Sequence, residues 1–260
     1  MTWNPTQYLR FEGERLRPAL DLLARVPLAS PRTIIDLGCG TGNVTQVLGE
    51  RWPNAQITGV DSSAEMLLAA EETIRGDDRY RFIVADLATW QPRAPVDLVY
   101  SNAALQWLDD HARLFPRIAA MVGASGVFAV QMPNNHAAPS HSASIELALR
   151  DRWRAKLKDL VRPHPVASSR EYYAFLAPHF ATIDIWDTEY LQVLARPGDE
   201  HPVVAWTKGT WLAPFLAALD PSERTEFLSD YTREMAVAYP SEGDGRTLFS
   251  FRRKFIVATR

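Results

Sequence analysis

Five short apolar segments alternate with helix-like stretches between residues 33 and 132, and this alternation restricts the fold more than any other feature. Each segment has the length of a buried strand. The segments are residues 33–37, 56–60, 80–85, 96–101 and 127–132. Strands that alternate with helices build a parallel sheet that is covered by helices. We therefore predict an α/β fold with a doubly wound parallel sheet.

The stretches between these segments carry helix signals. Residues 62–65, Ser-Ser-Ala-Glu, have the spacing of a capping box, which predicts a helix N-terminus at Ser62. A later helix is expected to end near Met121, with Pro116 near its start or at a kink.

The second half of the chain is less regular. A helix is expected over residues 142–160, and mostly helical structure over residues 196–245. Two N-terminal caps are predicted, one at Ser168 and one at Asp220. Further strands are predicted over residues 181–190 and 254–259. We interpret residues 1–260 as a single domain with cap segments at about 1–28, 133–178 and 195–250.

Composition excludes several classes of protein. The longest apolar runs, such as residues 126–132, are too short for a membrane span, and the polar N-terminus does not resemble a signal peptide. A cytoplasmic location without membrane association is therefore expected. The net charge is −3 and there is no basic run, so nucleic-acid binding is not expected. The single cysteine, Cys39, excludes an internal disulfide or a cysteine-based zinc site, and no metal is expected.

Three glycines follow the first predicted strand, at positions 38, 40 and 42. Glycines between a strand and a helix N-terminus let the backbone approach a ligand closely. A dinucleotide-binding loop would have glycine or alanine at the position of Asn43. This stretch alone leaves open a phosphate-binding turn, a dinucleotide loop, a reactive thiol and a turn without a ligand.

Polar residues stand at the ends of the next three predicted strands. Asp61 ends the second strand, Asp86 follows the third and Asn102 follows the fourth. Ligands of open α/β sheets bind beyond the carboxyl ends of the strands. The sequence therefore predicts one ligand site that combines these residues with the glycine loop.

The pattern of Asp36 followed by Gly38, Gly40 and Gly42 resembles the first motif of the class I S-adenosylmethionine (SAM)-dependent methyltransferases. The resemblance implies a Rossmann-like class I methyltransferase sheet with helical cap insertions. It also implies that Asp61 accepts hydrogen bonds from the ribose, that residues 85–87 bracket the adenine and that Asn102 lines the methionine end. The residues expected to bind SAM are Asp36, Gly38, Cys39, Gly40, Asn43, Asp61, Ser62, Met66, Ala85, Asp86, Leu87 and Asn102.

Two interpretations of Cys39 are possible from the sequence. A thiol at a helix N-terminus can have a lowered pKa and act as a nucleophile. No histidine is near it in the sequence, so we expect it to be a small wall of the cofactor site.

Segments along nearly the whole chain resemble the trans-aconitate 2-methyltransferase family. The resemblance is carried by WNPTQYLRFEGERLRPALDLLARVPL (3–28), SNAALQWLDDH (101–111), VFAVQMPNN (127–135), PSH (139–141), DIWDTEY (184–190) and FRRKFIVA (251–258). It implies methylation of a carboxylate of a small polycarboxylic acid, trans-aconitate. A carboxylate is already ionised at neutral pH, so no general base and no catalytic side chain is expected. Positioning alone contributes roughly 7–11 kcal/mol to such reactions.

Arginines are the expected anchors for the acid, because guanidinium groups bind carboxylates in a bidentate manner. Polar and aromatic side chains are expected as further donors or walls. The predicted substrate-binding residues are Tyr8, Arg10, Arg17, Gln106, Trp107, His141, Trp206 and Arg253.

The chain departs from the family pattern at Ala213, where the family has an arginine. Another small carboxylic acid, or an acid bound to an acyl carrier, is therefore an alternative substrate. Two further alternatives are an NAD(P)-dependent oxidoreductase on a similar sheet and a SAM-binding protein without turnover. Asp36 and Asn43 argue against the oxidoreductase.

Overall fold

The structure is a computed structural model, and it describes residues 12–162, 165–196 and 198–260. The chain divides into two compact units. The first, which we call the sheet unit, contains residues 15–133, 165–188 and 253–260. The second, the helical unit, contains residues 12–14, 134–162, 189–196 and 198–252 of the described chain.

One sheet of seven strands is formed by the described residues. Its strands are β1 (Thr33–Leu37), β2 (Gln56–Asp61), β3 (Tyr80–Val84), β4 (Val96–Asn102), β5 (Val122–Pro133), β6 (Thr182–Leu194) and β7 (Thr247–Thr259). Their order is β3-β2-β1-β4-β5-β7-β6. The first five strands pair in parallel, as predicted, whereas β7 pairs antiparallel to β5. The parallel order predicted for the five alternating strands is therefore confirmed, and the later strand β7 makes the complete sheet a mixed one.

Ten α-helices are found in the described residues. They are α1 (Glu12–Ala24), α2 (Asn43–Arg51), α3 (Ala64–Thr73), α4 (His111–Ala119), α5 (Pro139–Ala148), α6 (Asp151–Leu157), α7 (Ser169–Leu176), α8 (Pro202–Lys208), α9 (Ala213–Ala217) and α10 (Pro221–Ala238). No helix in the described part of the chain has the length and hydropathy needed to cross a membrane.

The core of the sheet unit lies between the sheet and two helices. Phe128 and Val130 of β5 pack in one cluster with Phe115 of α4 and Tyr172 of α7. These side chains are fully buried, and burial of large apolar side chains is the main stabilising term of such a layer. The helical unit has its own core, which is built around Trp153, Trp206, Phe227 and Tyr231.

The predicted caps of α7 and α10 are confirmed. Ser168 and Glu171 form a capping box, in which the serine hydroxyl accepts from the Glu171 amide and the Glu171 carboxylate accepts from the Ser168 amide. Asp220 and Glu223 form the same motif, with Pro221 in the first turn. Such caps pair backbone N–H groups that have no partner within the helix.

The N-cap of α3 is Ser63, so the prediction of Ser62 was wrong by one residue. The reason is a competing hydrogen bond, because the Ser63 amide donates to Asp61 Oδ1 over 2.9 Å. This turn carries the chain one residue further before the helix begins, and the Ser63 hydroxyl then accepts from the amide of Met66.

Several predicted boundaries also differ from the structure. The helix expected over 142–160 is divided into α5, α6 and a short 3₁₀ turn, because Arg150 has an extended backbone with ψ of 146°. Residues 85–95, all of them described, form no helix between β3 and β4. Pro116 lies within α4 rather than near its start. Strand β7 begins at Thr247, seven residues before the predicted start (254 − 247 = 7).

Candidate active site

The glycine loop between β1 and α2 has an unusual backbone. Gly38, Gly40 and Gly42 have φ angles of 76°, 54° and 81°, in the left-handed region that side chains with a Cβ rarely adopt. The amides of Gly38 and Cys39 donate to the carbonyl of Val60 over 2.7 and 3.2 Å, which ties the start of the loop to β2. The loop is therefore held in one shape by the neighbouring strand.

Gly38 and Gly40 differ in the space that surrounds them. A Cβ on Gly38 would lie 2.1 Å from the Cβ of Ala104, so this position needs glycine for packing. A Cβ on Gly40 would meet no atom of the described residues within 4 Å. The backbone at Gly40 therefore borders open space into which a ligand can be placed.

Asp61, at the end of β2, holds the glycine loop and the start of α3 together. Its Oδ2 accepts from the Gly40 amide over 3.0 Å, and its Oδ1 accepts from the Ser63 amide over 2.9 Å. The side chain is half-buried. A carboxylate can accept about four hydrogen bonds, so about two positions remain for donors of a ligand.

Asp36 is buried beneath the loop. Thr45 of α2 donates its hydroxyl to Asp36 Oδ2 over 2.7 Å. Burial raises the pKa of Asp36 to about 7, with a further rise from the negative charge of Asp61 and a fall from the Thr45 hydrogen bond. In the structure Asp36 connects β1 to α2, and its direct contact with a cofactor stays a prediction.

Cys39 is not a reactive thiol. Burial raises its pKa far above the usual value, and the charges of Asp36 and Asp61 raise it further. Its sulfur packs so closely on β2 that a Cβ on Gly59 would lie 2.8 Å from it. Since the thiolate is the nucleophilic form, this environment disfavours a nucleophilic role for Cys39 at neutral pH.

The loop after β3 is fixed from two sides. The amide of Ala85 donates to the Asp61 carbonyl over 2.9 Å, and the exposed side chain of Asp86 accepts from the Ala88 amide over 2.8 Å. Arg117 of α4 donates one N–H to the carbonyl of Trp90 over 2.6 Å and another to the carbonyl of Leu87. Burial lowers the pKa of Arg117, and the nearby Asp86 raises it.

The end of β4 has a strained backbone. Ala103 has a φ of 53°, which is unfavourable for a residue with a Cβ. The strain is maintained by hydrogen bonds on both sides, because the Ala103 amide donates to the Gln131 carbonyl over 2.9 Å and its carbonyl accepts from Gln106 Nε2 over 2.7 Å. Ser101 donates its hydroxyl to the Leu37 carbonyl over 2.8 Å, which joins the ends of β4 and β1.

Two buried polar atoms near this end of the sheet have no hydrogen-bond partner among the described residues. They are Oδ1 of Asn102 and Nε2 of Gln131. Buried polar groups are nearly always paired in native proteins. Unpaired atoms beside an open glycine loop and a strained backbone are therefore a sign of a ligand site.

The predicted substrate residues of the sheet unit differ in accessibility. Gln106 and Arg253 are buried, with 7% and 4% exposure, and Trp107 is half-buried. Arg253 Nη1 donates to Gln131 Oε1 over 3.3 Å. The side chain of Arg17 on α1 is 71% exposed and lies 3.9 Å from the Asp21 carboxylate in the next turn. Arg253 is thus much less exposed to water than Arg17.

The predicted substrate residues of the helical unit are His141 and Trp206, and both are buried. His141 Nδ1 lies 3.0 Å from the hydroxyl of Ser140, and burial lowers the pKa of the ring well below its usual value, so the ring is neutral at pH 7. Trp206 packs on Phe249 and Phe251 in the core of the unit. Tyr8 and Arg10 lie outside the described residues.

Four residues of this region are not among those predicted from the sequence. Thr45 and Ser63 sit in helix first turns, where a hydroxyl is so common that it signals nothing about a ligand. Arg117 and Gln131 are polar residues of an amphipathic helix and of an otherwise apolar strand. Of these four, only Gln131 could have been predicted from the sequence as a site residue, because a glutamine inside a buried strand requires hydrogen-bond partners.

Comparisons with known proteins agree with this geometry. A family model described as a methyltransferase domain matches residues 34–126. A trans-aconitate 2-methyltransferase from Azoarcus sp. (strain BH72) is 45% identical over 259 residues, which cover 100% of this chain and 99% of that protein. The chain belongs to the trans-aconitate 2-methyltransferase family. A second member, from Methylobacterium radiotolerans, is also 45% identical, over 99% of this chain and 98% of that protein.

The fold of this family member is shared with a distant methyltransferase. Phosphoethanolamine N-methyltransferase 2 from Haemonchus contortus, solved in complex with SAM, superposes with a TM-score of 0.60 at 17% identity. The alignment covers 97% of this chain and 56% of that one. The predicted Rossmann-like methyltransferase fold and the predicted family are both confirmed.

Proposed function

We propose that this protein is a SAM-dependent carboxyl O-methyltransferase that forms the monomethyl ester of trans-aconitate or of a closely related small polycarboxylic acid. The observation that carries the proposal is the arrangement around Asp61. This carboxylate holds Gly40 and Ser63 by their amides and retains acceptor capacity beside the open space at Gly40. The full-length similarity to trans-aconitate 2-methyltransferases supports the choice of acid.

The residues of the sheet unit fit the chemistry of SAM. Asp61 supplies two acceptors for the vicinal hydroxyls of a ribose. Asp86 has an exposed carboxylate that can accept from an exocyclic amine, and Leu87 offers an apolar surface to a base. Asn102 Oδ1 is an acceptor without a partner in the described part of the chain, which suits an ammonium group. These pairings are supported by donor and acceptor chemistry and complete the cofactor site proposed from the sequence.

Bound SAM supplies an electrophilic methyl group. The chain has to hold the acid, orient its carboxylate and exclude water. It needs no general base, because the carboxylate is ionised at neutral pH. The neutral ring of His141 and the protonated thiol of Cys39 are consistent with a site that works by positioning.

The acid requires cationic or N–H donors, and the buried Arg253 is the donor best suited to a carboxylate. Gln106, Trp107, His141, Trp206, Arg17, Tyr8 and Arg10 remain predicted substrate residues. Ala213 stands where the sequence analysis expects a family arginine, which favours an acid with fewer or differently placed carboxylates as the second candidate substrate. We also propose a cytoplasmic enzyme without a nucleic-acid partner, in keeping with the net charge of −3.

An acid panel tests this proposal. The purified protein is incubated with SAM and with trans-aconitate, its cis isomer, a saturated tricarboxylic acid and a monocarboxylic acid, and products are identified by mass. We expect one added methyl group on trans-aconitate at the highest kcat/KM. Turnover of another acid in its place would overturn the trans-aconitate assignment. NAD(P) binding without SAM binding in calorimetry would overturn the methyltransferase assignment.

A further inference from the structure

Gln131, near the carboxyl end of β5, has one polar side-chain atom without a hydrogen-bond partner among the described residues. The residue is fully buried. Its Oε1 accepts from Arg253 Nη1 over 3.3 Å, and its Nε2 meets no acceptor in residues 12–162, 165–196 and 198–260. A buried donor without a partner is unfavourable, so a group outside the described residues, such as a bound ligand, is expected to accept from it.

The contact with Arg253 determines which atom of the Gln131 side-chain amide is the oxygen and which is the nitrogen. A guanidinium group can only donate hydrogen bonds, so the amide atom that faces Arg253 must be the oxygen. The nitrogen then occupies the other position. Arg253 thereby orients Gln131 so that its Nε2 is available as a donor. The assignment of oxygen and nitrogen follows from the hydrogen-bonding chemistry alone.

The register of the sheet places this donor next to the predicted methionine end of the cofactor. Asn102 of β4 is the direct neighbour of Gln131 across the parallel β4–β5 pair. Neighbouring strands lie about 4.8 Å apart, and residues in register point to the same face. On β7, Phe255 pairs with Gln131 and Arg253 lies two residues before it, on the same face again. Asn102, Gln131 and Arg253 thus form a row across three adjacent strands.

The row of Asn102, Gln131 and Arg253 has an acceptor at one end and donors at the other. Asn102 contributes an unpaired oxygen, which suits the ammonium group of the cofactor. Gln131 contributes an N–H beside the positive charge of Arg253. An N–H donor next to a guanidinium group is matched to a carboxylate, and a neutral ligand gains much less from it.

We propose that Gln131 is a substrate-binding residue that donates its Nε2–H to a carboxylate of the acid, and that Arg253 is the positioning residue that orients it. The inference rests on the proposed carboxyl methyltransferase function and adds a specificity-determining residue to it. Carboxylate selectivity then comes from an oriented amide in addition to arginine charge.

Two substitutions test the donor. Gln131→Met keeps the length of the side chain and removes the N–H. Gln131→Glu keeps the shape, pairs with Arg253 and replaces the donor with an acceptor that repels a carboxylate. Calorimetry gives the Kd of S-adenosylhomocysteine alone and then the Kd of trans-aconitate for the protein saturated with S-adenosylhomocysteine. Steady-state kinetics gives kcat and KM for both substrates.

For Gln131→Met we expect an unchanged Kd for S-adenosylhomocysteine and a Kd for trans-aconitate raised roughly tenfold, as loss of one hydrogen bond to a charged group predicts. Gln131→Glu should raise it further. Gln192→Met is the matched control, since Gln192 is also buried, with 7% exposure, but lies in the helical unit on β6. It should leave both constants unchanged.

An unchanged Kd for the acid in Gln131→Met would overturn the inference and assign Nε2 to a bound water. A parallel rise of both constants would overturn it as well, because it would indicate a distorted sheet or a hydrogen bond from Gln131 to the carboxylate of the cofactor. If Gln131→Met fails to fold, Gln131→Glu decides alone. If the native protein methylates a different acid, that acid replaces trans-aconitate in the titration and only the substrate assignment has failed. If the native protein binds no carboxylic acid, both proposals fail.

Discussion

Asp61 is the residue on which the predicted cofactor site depends most. We expect Asp61→Ala to raise the Kd for SAM roughly 100-fold, because two hydrogen bonds to a charged acceptor are lost at once. The measurement is calorimetry with S-adenosylhomocysteine and with SAM.

Asp97 provides the matched control for Asp61. Its Oδ2 accepts from the amides of Arg32 and Thr33 over 2.7 and 3.0 Å, so it also ties strands together through backbone amides. It does so at the amino ends of β1 and β4, away from the glycine loop. Asp97→Ala should lower stability and leave SAM affinity unchanged. Equal losses of affinity in both variants would show that Asp61 acts only by holding the fold.

Asp36 makes stability depend on pH. Its pKa in the folded protein is about 7, against 3.8 in the unfolded chain, so the native state binds more protons between these values. Stability contributed by protonated Asp36 is therefore complete below about pH 4 and is lost as the pH rises towards 7. Asp36→Asn, which cannot ionise, should be more stable than the native protein at pH 8 by up to about 4 kcal/mol and similar at pH 4.

Urea denaturation at several values of pH measures this difference. The free energy of unfolding of Asp36→Asn minus that of the native protein should grow from pH 4 to about pH 7 and level off above it. Thr45→Val is a useful companion, because it removes the hydrogen bond that lowers the pKa of Asp36 and should destabilise the protein most at high pH. A constant difference across the pH range would mean that Asp36 does not titrate there.

At the residue scale, the sequence could predict polar groups at strand ends but not the partners that orient them. Asp61 and Asp86 were predictable because parallel strands bring their carboxyl ends to one edge. Gln131 and Arg253 are 122 residues apart in the chain. Their contact depends on β7 pairing antiparallel to β5, which no local pattern specifies.

At the scale of elements, the glycine loop allows two effects of a substitution to be separated, namely backbone strain and obstruction of a ligand. Gly40 and Gly76 both have positive φ angles, 54° and 86°, and a Cβ on either would lie more than 4 Å from every atom in the part of the chain that the structure describes. Gly40→Ala and Gly76→Ala should therefore each lower stability by about 1–2 kcal/mol, the strain of a left-handed residue. Only Gly40→Ala should weaken SAM binding, because its methyl group occupies the open space.

Thermal denaturation and calorimetry on the same samples separate the two effects. Gly38→Ala belongs in the series as the packing case, since its Cβ would overlap that of Ala104, and it should destabilise the protein more than the other two variants. If Gly40→Ala binds SAM as tightly as Gly76→Ala does, the ligand does not approach the backbone at Gly40.

Elements of the first half of the chain were predictable because each has a local cause. The five parallel strands are short apolar runs with turn residues at their ends. The second half was predicted less well. The break at Arg150 and the early start of β7 are set by tertiary contacts, which override local propensity.

At the scale of the whole molecule, all described residues of the predicted cofactor site belong to the sheet unit. A ligand that binds only the native state stabilises it in proportion to the logarithm of its concentration. S-adenosylhomocysteine at 100 times its Kd should therefore add about 2.7 kcal/mol and raise the Tm by about 5–10 °C.

Hydrogen exchange shows where this stabilisation resides. With S-adenosylhomocysteine alone, slower exchange should appear in residues 38–43, 61–66 and 85–88, whose amides hold the glycine loop and the two strand ends in place. Helix α10 of the helical unit should exchange as it does without ligand, since none of the predicted cofactor residues belongs to that unit. Protection of α10 without protection of the glycine loop would move the cofactor site out of the sheet unit and contradict the assignment of Asp61.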